Sequence, residues 1–123
     1  MSHPLWKQHI QEIFGSREVP EVTPKNLETF RDHLRNNVQE PCFLFLSDDD
    51  GAHFEAVLLV DCHQDVDQNE GILVTVQRTS DHKEFTLPLV QLECPSEDSL
   101  NHRLVEAYSS WFIRSTFQNL WST

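Results

Sequence analysis

Between Arg35 and Arg78 the chain has no lysine or arginine, yet it carries nine carboxylates: Glu40, Asp48, Asp49, Asp50, Glu55, Asp61, Asp65, Asp67 and Glu70. Carboxylates drawn together without a basic partner repel one another. An exposed acidic face relieves that repulsion through solvation, and a hard divalent cation relieves it by ligation. The most suggestive spacing for ligation is Asp65-x-Asp67-x-Asn69, which sets three oxygen donors on alternate residues of a turning segment, with Asp61 and Glu70 at its ends. Calcium needs about six to eight oxygens from a compliant backbone, and alternate donors are one way to supply them. The spacing departs from an EF-hand, because Gly71 comes one residue late, Val76 stands where a glutamate would close the cage, and a strand follows. Asp48-Asp49-Asp50-Gly51 forms a second acidic candidate, with Glu55 close behind. Its plain reading is a hairpin turn, since Asp-Gly favours positive φ.

Other chemistries find less support. His63 beside Cys62, with Asp61 and Asp65 nearby, offers zinc-type donors. No paired thiolate or His-x-x-x-His pattern completes such a site. Cys42, Cys62 and Cys94 are widely spaced, so neither a disulfide framework nor a thiolate metal site is expected, and a reducing cytoplasm is the expected location. Cys42 or Cys94 reads more readily as a small buried apolar group than as a nucleophile. Ser109-Ser110 lacks a nucleophile-elbow glycine, and Gly15, Gly51 and Gly71 form no phosphate loop. The chain is not expected to be an enzyme.

A net charge of −11 and a pI near 4.8 argue against nucleic acid and against anionic membrane surfaces. They leave room for a basic protein partner. A chain of 123 residues is expected to form one domain, with residues 1–40 helical, 41–94 forming an antiparallel sheet and 95–123 helical again. No apolar run approaches a membrane span, and the first residues lack a signal-peptide pattern.

The elements that must position these residues follow from periodicity. Ser2 or His3, then Pro4, open a helix that Gly15 stops, with Leu5, Trp6, His9, Ile10, Ile13 and Phe14 on one face. Thr23-Pro24 opens a second, whose buried stripe is Leu27, Phe30, Leu34 and Val38. The period then changes. Residues 42–46 and 54–60 read as strands, 61–70 as an acidic loop, 71–78 as a β-branched strand, 85–87 as its partner and 89–93 as a closing strand. Leu100, Leu104, Ala107, Tyr108, Trp111 and Phe112 mark a last helix, which Phe117, Leu120 and Trp121 extend or pack beside. Helices are expected over residues 4–14, 24–38 and 98–114, around a sheet within 42–92. The class is α+β, with a small antiparallel SH3-like barrel or curved sheet flanked by two N-terminal helices and one C-terminal helix.

Several stretches carry a resemblance to a known family. Phe30-Arg31-Asp32-His33-Leu34-Arg35-Asn36-Asn37 with Glu40-Pro41-Cys42 resembles the CcbP-type family of small acidic calcium-binding proteins, bacterial and typified in cyanobacteria. The run from Gly71 to Arg78, then Phe85 to Leu89 and Leu92-Glu93, is similar to that family's sheet. Tyr108-Ser109-Ser110-Trp111-Phe112 is similar to its closing aromatic helix. The resemblance implies a small barrel with flanking helices that binds calcium through acidic side chains, and it transfers no individual ligand. The leading expectation is a cytoplasmic calcium buffer or low-affinity sensor. The alternative is a non-enzymatic adaptor or inhibitor that meets a basic protein with its acidic face.

Overall fold

Three helices and five strands follow one another in the computed structural model, which describes residues 5–47, 54–95 and 99–121. Their order is α1 (Leu5–Phe14), α2 (Pro24–Asn37), β1 (Phe43–Ser47), β2 (Phe54–Asp67), β3 (Gly71–Arg78), β4 (Glu84–Pro88), a 3-10 turn at Leu89–Gln91, β5 (Leu92–Glu93) and α3 (Leu100–Trp121). The acidic run Asp48-Asp49-Asp50-Gly51 and the helix-opening residues Ser2, His3 and Pro4 lie outside the described residues.

Local signals set the helix ends. Gly15 takes φ +61, and Ser16 N–H donates to the Gln11 carbonyl at 3.0 Å, which closes α1 with a left-handed cap. Thr23 Oγ1 accepts the Asn26 amide at 3.1 Å, and Pro24 occupies the first turn, where its missing N–H costs nothing. Helix α3 runs on to Trp121, past the expected end at residue 114.

The sheet is antiparallel throughout, in the order β4-β3-β2-β1-β5. Flat strands about 4.8 Å apart would put its two edges roughly 19 Å from each other. Only the turn Leu89–Gln91 joins β4 to β5. Four residue steps span at most about 14 Å even when fully extended. The sheet therefore curls until its edges approach, yet β4 and β5 are not paired, so it is a curved open sheet rather than a closed barrel. The expected closing strand over 89–93 shrinks to two residues, because the chain needs Leu89–Gln91 to turn the corner.

The acidic loop expected over 61–70 is mostly strand. Strand β2 continues to Asp67, and only residues 68–70 form the turn. Two irregularities hide it from a period-two reading. One extra residue enters between Leu59 and Asp61, and two more between Cys62 and Val66, against an unbroken β3. The first bulge shifts the alternation by one and the second inserts two residues without a partner, so the polar residues of 61–67 no longer fall on every second position.

The core joins the layers. Leu44, Val57, Ile72, Val74, Val76, Leu89 and Leu92 from the sheet region are buried with Ile10, Leu27, Phe30 and Leu34 from α1 and α2. From α3 come Leu104, Val105, Ala107, Tyr108, Trp111 and Phe112. Phe30 stacks on Trp111 at 5.7 Å between ring centres and lies 5.3 Å from Tyr108. Trp111 Nε1 donates to the Pro20 carbonyl at 2.8 Å, which pins the α1–α2 connector to α3. Asn101 pins the segment after α2 in the same manner, accepting from Gln39 N–H and donating to Gln39 C=O, both at 2.8 Å. Among the described residues, no helix is long and apolar enough to cross a membrane.

Candidate functional site

The β2–β3 hairpin gathers the predicted donors of residues 61–70 at one end of the sheet. Asp67 pairs with Gly71, leaving Gln68, Asn69 and Glu70 as a three-residue loop. Asp67 Oδ1 accepts the Asn69 and Glu70 amides at 2.7 and 2.9 Å, an aspartate-anchored turn. Gly71 follows at φ +82, the left-handed residue that returns a three-residue loop to its strand. One Asp67 oxygen is thus committed to the turn. Asp65, Asn69 and Glu70 are exposed around it.

Further back, helix α2 braces the bulged part of β2. Arg31 and Arg35 lie one helical turn apart and so share a face. Arg31 Nη1 donates to the Gln64 carbonyl, and Arg35 Nη2 to the Cys62 carbonyl at 2.6 Å. Bulged backbone leaves such carbonyls without a ladder partner, and the two guanidinium groups supply one. Arg35 Nε also stands 3.5 Å from Asp61 Oδ1, which itself accepts the Cys62 amide at 2.8 Å. Asp61 therefore has a cation, contrary to the reading that nothing in this stretch is neutralised. Glu55 has one too, since Arg78 Nε lies 2.5 Å from its Oε1, and Arg78 also reaches Asp81 at 3.4 Å. Linear sequence concealed these pairs, because the arginines that flank the acidic stretch return to it through the fold. Two arginines at i and i+4 on the preceding helix were the available signal.

The zinc-type donors do not assemble. Cys62 is buried, and burial pushes its thiol up to about 11, an effect that Arg35 partly offsets and Asp61 reinforces. His63 is exposed, with Nδ1 3.4 Å from the Asp65 amide. Burial, with the Cys94 and Cys62 thiols beside it, pushes Cys42 up to about 12, so neither buried thiol is a ready nucleophile at neutral pH.

For a hard cation the donor chemistry of the hairpin tip is right, since Asp65, Asp67, Asn69 and Glu70 all offer oxygen. The convergence is incomplete. Among the described residues, no three His, Cys, Asp or Glu side chains come together in a group that could hold a metal ion. The remaining predicted donors, Asp48, Asp49 and Asp50, fall outside the described residues.

No protein-family model matches the sequence, and no curated protein matches it. The fold does match a solved structure, the crystal structure of CcbP from Anabaena, with a TM-score of 0.60 over 90% of this chain and 92% of that one, at 12% sequence identity. At that identity the likeness is one of fold, and the chain has a CcbP-like α+β architecture.

Proposed function

We propose that this protein binds calcium rather than catalysing a reaction, as a buffer or low-affinity sensor whose metal-binding residues sit at the tip of the β2–β3 hairpin. Asp65, Asp67 through its second oxygen, and Glu70 are the side-chain donors in this reading, with Asn69 beside them. Asp61 serves the bulge instead. The observation that carries the proposal is the charge imbalance at the tip. Asp65, Asp67 and Glu70 fall within six residues, and among the described residues no lysine or arginine pairs with any of them, whereas Asp61 and Glu55 each face an arginine. The resemblance to CcbP-type calcium-binding proteins and the CcbP-like fold agree with it. Three free thiols suit a reducing, cytoplasmic setting.

An incomplete cage binds weakly, with a dissociation constant of about 10⁻⁴–10⁻³ M expected where ligands are few and water completes the shell. Calorimetric titration with calcium, with magnesium as competitor, tests this directly. Calcium should also raise the melting temperature by favouring the folded form. Replacing Asp65→Asn together with Asp67→Asn should remove that gain. An absent calcium shift at millimolar metal, or an equal shift in the double variant, would sink the proposal.

A second reading, a non-enzymatic adaptor or inhibitor for a basic protein, is favoured by the net charge of −11 together with the exposed Phe43, Phe45 and Phe54.

A further inference from the structure

The outward face of β1 and β2 is apolar where an exposed strand face is ordinarily polar. Phe43, Phe45 and Phe54 are 49%, 36% and 62% exposed. Register places them together, because Phe43 faces Leu58, Phe45 faces Ala56, and Ser47 faces Phe54 across the β1–β2 ladder. Phe45 and Phe54 meet diagonally, 6.4 Å between ring centres. Single exposed phenylalanines are common on surfaces, but a contiguous group on one strand pair marks a surface that meets something.

The rest of the same face shows the contrast. Gln77 pairs with Leu58 and Glu84 pairs with Gln77, so both share its outward side, as do Thr75 and Thr86, whose hydroxyls lie 3.3 Å apart. That half alternates as a solvated sheet should. On the other flank Glu93 of β5 stands opposite Phe45. Among the described residues, no outward strand position on this face holds a lysine or arginine, while Glu93 borders the aromatic group and Glu84 lies on the same face at the far edge strand, beyond Leu58 and Gln77.

We propose that this face docks a lysine- or arginine-rich protein segment that also carries apolar side chains. The proposal rests on the adaptor reading and fixes where that partner would bind. Charge decides between occupants. A second copy would bring the same carboxylates and the same net charge of −11 against themselves across a two-fold interface. A basic apolar segment laid across the strands satisfies both parts of the surface, with its apolar groups on the phenylalanines and its cations on Glu93 beside them and on Glu84 at the far edge. Arginine fits doubly, since it also stacks on aromatic faces.

The test uses the full chain in EDTA, so its result is independent of calcium. A fluorescein-labelled synthetic peptide alternating arginine with leucine is titrated by anisotropy, beside an oligoarginine peptide and a glutamate–leucine peptide. The arginine–leucine peptide should bind best, and more weakly as salt rises. Phe45→Ser with Phe54→Ser leaves the net charge unchanged and should weaken binding by about tenfold or more. Glu84→Gln with Glu93→Gln should flatten the salt dependence. Both phenylalanines are exposed, so the melting temperature should hold, and Phe43→Ser alone serves if the double variant unfolds. Undiminished binding in the phenylalanine variants would overturn this location while leaving the adaptor reading standing on charge alone. Failure of the arginine–leucine peptide to bind at low salt would overturn both. A dimer in sedimentation that the phenylalanine variants abolish would make a second copy the occupant and overturn the proposal.

Discussion

The Tyr108 hydroxyl occupies the space that a β-carbon on Gly71 would need, and it accepts the Ile72 amide at 2.8 Å from that position. The Phe112 ring closes the other side, 2.9 Å from the same point. Helix α3 is thereby seated against the first residue of β3, directly after the acidic turn. The core and the candidate site meet at this contact.

Gly71→Ala should destabilise the fold severely. It forces a side chain into the left-handed region at φ +82 and into a filled space at once. Strain and overpacking together should cost about 2–4 kcal/mol, measured by urea unfolding. Tyr108→Phe strands the Ile72 amide, at a cost of about 1–3 kcal/mol, because a buried donor is left unmade. The two changes should be non-additive, since removing the hydroxyl also removes the nearest obstacle to the new methyl group. Strict additivity would contradict this geometry.

A pH dependence follows from the buried thiols. Cys42 and Cys62 both lie above their ordinary value of 9.0 in the folded chain, at about 12 and about 11. The unfolded chain releases these protons first, so stability is fully present below pH 9 and declines as pH rises towards the folded values. The slope should approach about 1.4 kcal/mol per pH unit for each thiol. Cys42→Ala should flatten the alkaline limb. His33 behaves oppositely, because burial lowers it from 6.5 and the unfolded chain then takes up a proton the folded one refuses. Stability should fall as pH drops below 6.5, and His33→Gln should reduce that loss.

Sequence periodicity was most informative where strands and helices were unbroken. Residues 71–78 read as a strand and are β3 to the residue, and the Thr23-Pro24 start and Gly15 stop are made by the bonds those residues imply. The second half of β2 reads as loop in the sequence, because its three extra residues erase alternation and no local signal announces a bulge. The open sheet edge was equally hidden, since it depends on how far Leu89–Gln91 must carry the chain. At the candidate site, the composition of the tip was legible and its neutralisation was not. Arg31 and Arg35 precede Asp61 by more than 25 positions and meet β2 only after folding. The outward Phe43 and Phe45 sat inside an apolar run whose two faces the sequence does not distinguish.

Arg35→Met should separate the brace from the charge. Its bond to the Cys62 carbonyl holds bulged backbone, whereas its approach to Asp61 at 3.5 Å is a solvent-exposed ion pair. The exposed pair is worth at most about 1 kcal/mol, and the carbonyl bond about as much or more. Asp61→Asn should therefore cost less than Arg35→Met, because asparagine keeps an Oδ1 for the Cys62 amide. Amide exchange should quicken at 61–65 in the Arg35 variant alone. Equal losses would mean that the ion pair, not the carbonyl bond, holds the segment.

Calcium binding should discriminate among the hairpin carboxylates by their existing commitments. Asp61 faces Arg35 and the Cys62 amide, so Asp61→Asn should leave the calcium-dependent rise in melting temperature nearly intact. Glu70→Gln and Asp65→Asn should each diminish it, since both side chains are exposed at the tip. Asp67 is the informative position because it has two duties. Asp67→Asn retains the Oδ1 that accepts the Asn69 and Glu70 amides, so the turn should persist while a charged donor is lost. Asp67→Ala removes both, and should cost about 1 kcal/mol of stability in calcium-free buffer as well. A calcium response lost in Asp67→Ala yet fully retained in Asp67→Asn would show that the residue acts through the turn it holds, and would remove its carboxylate from the ligand set.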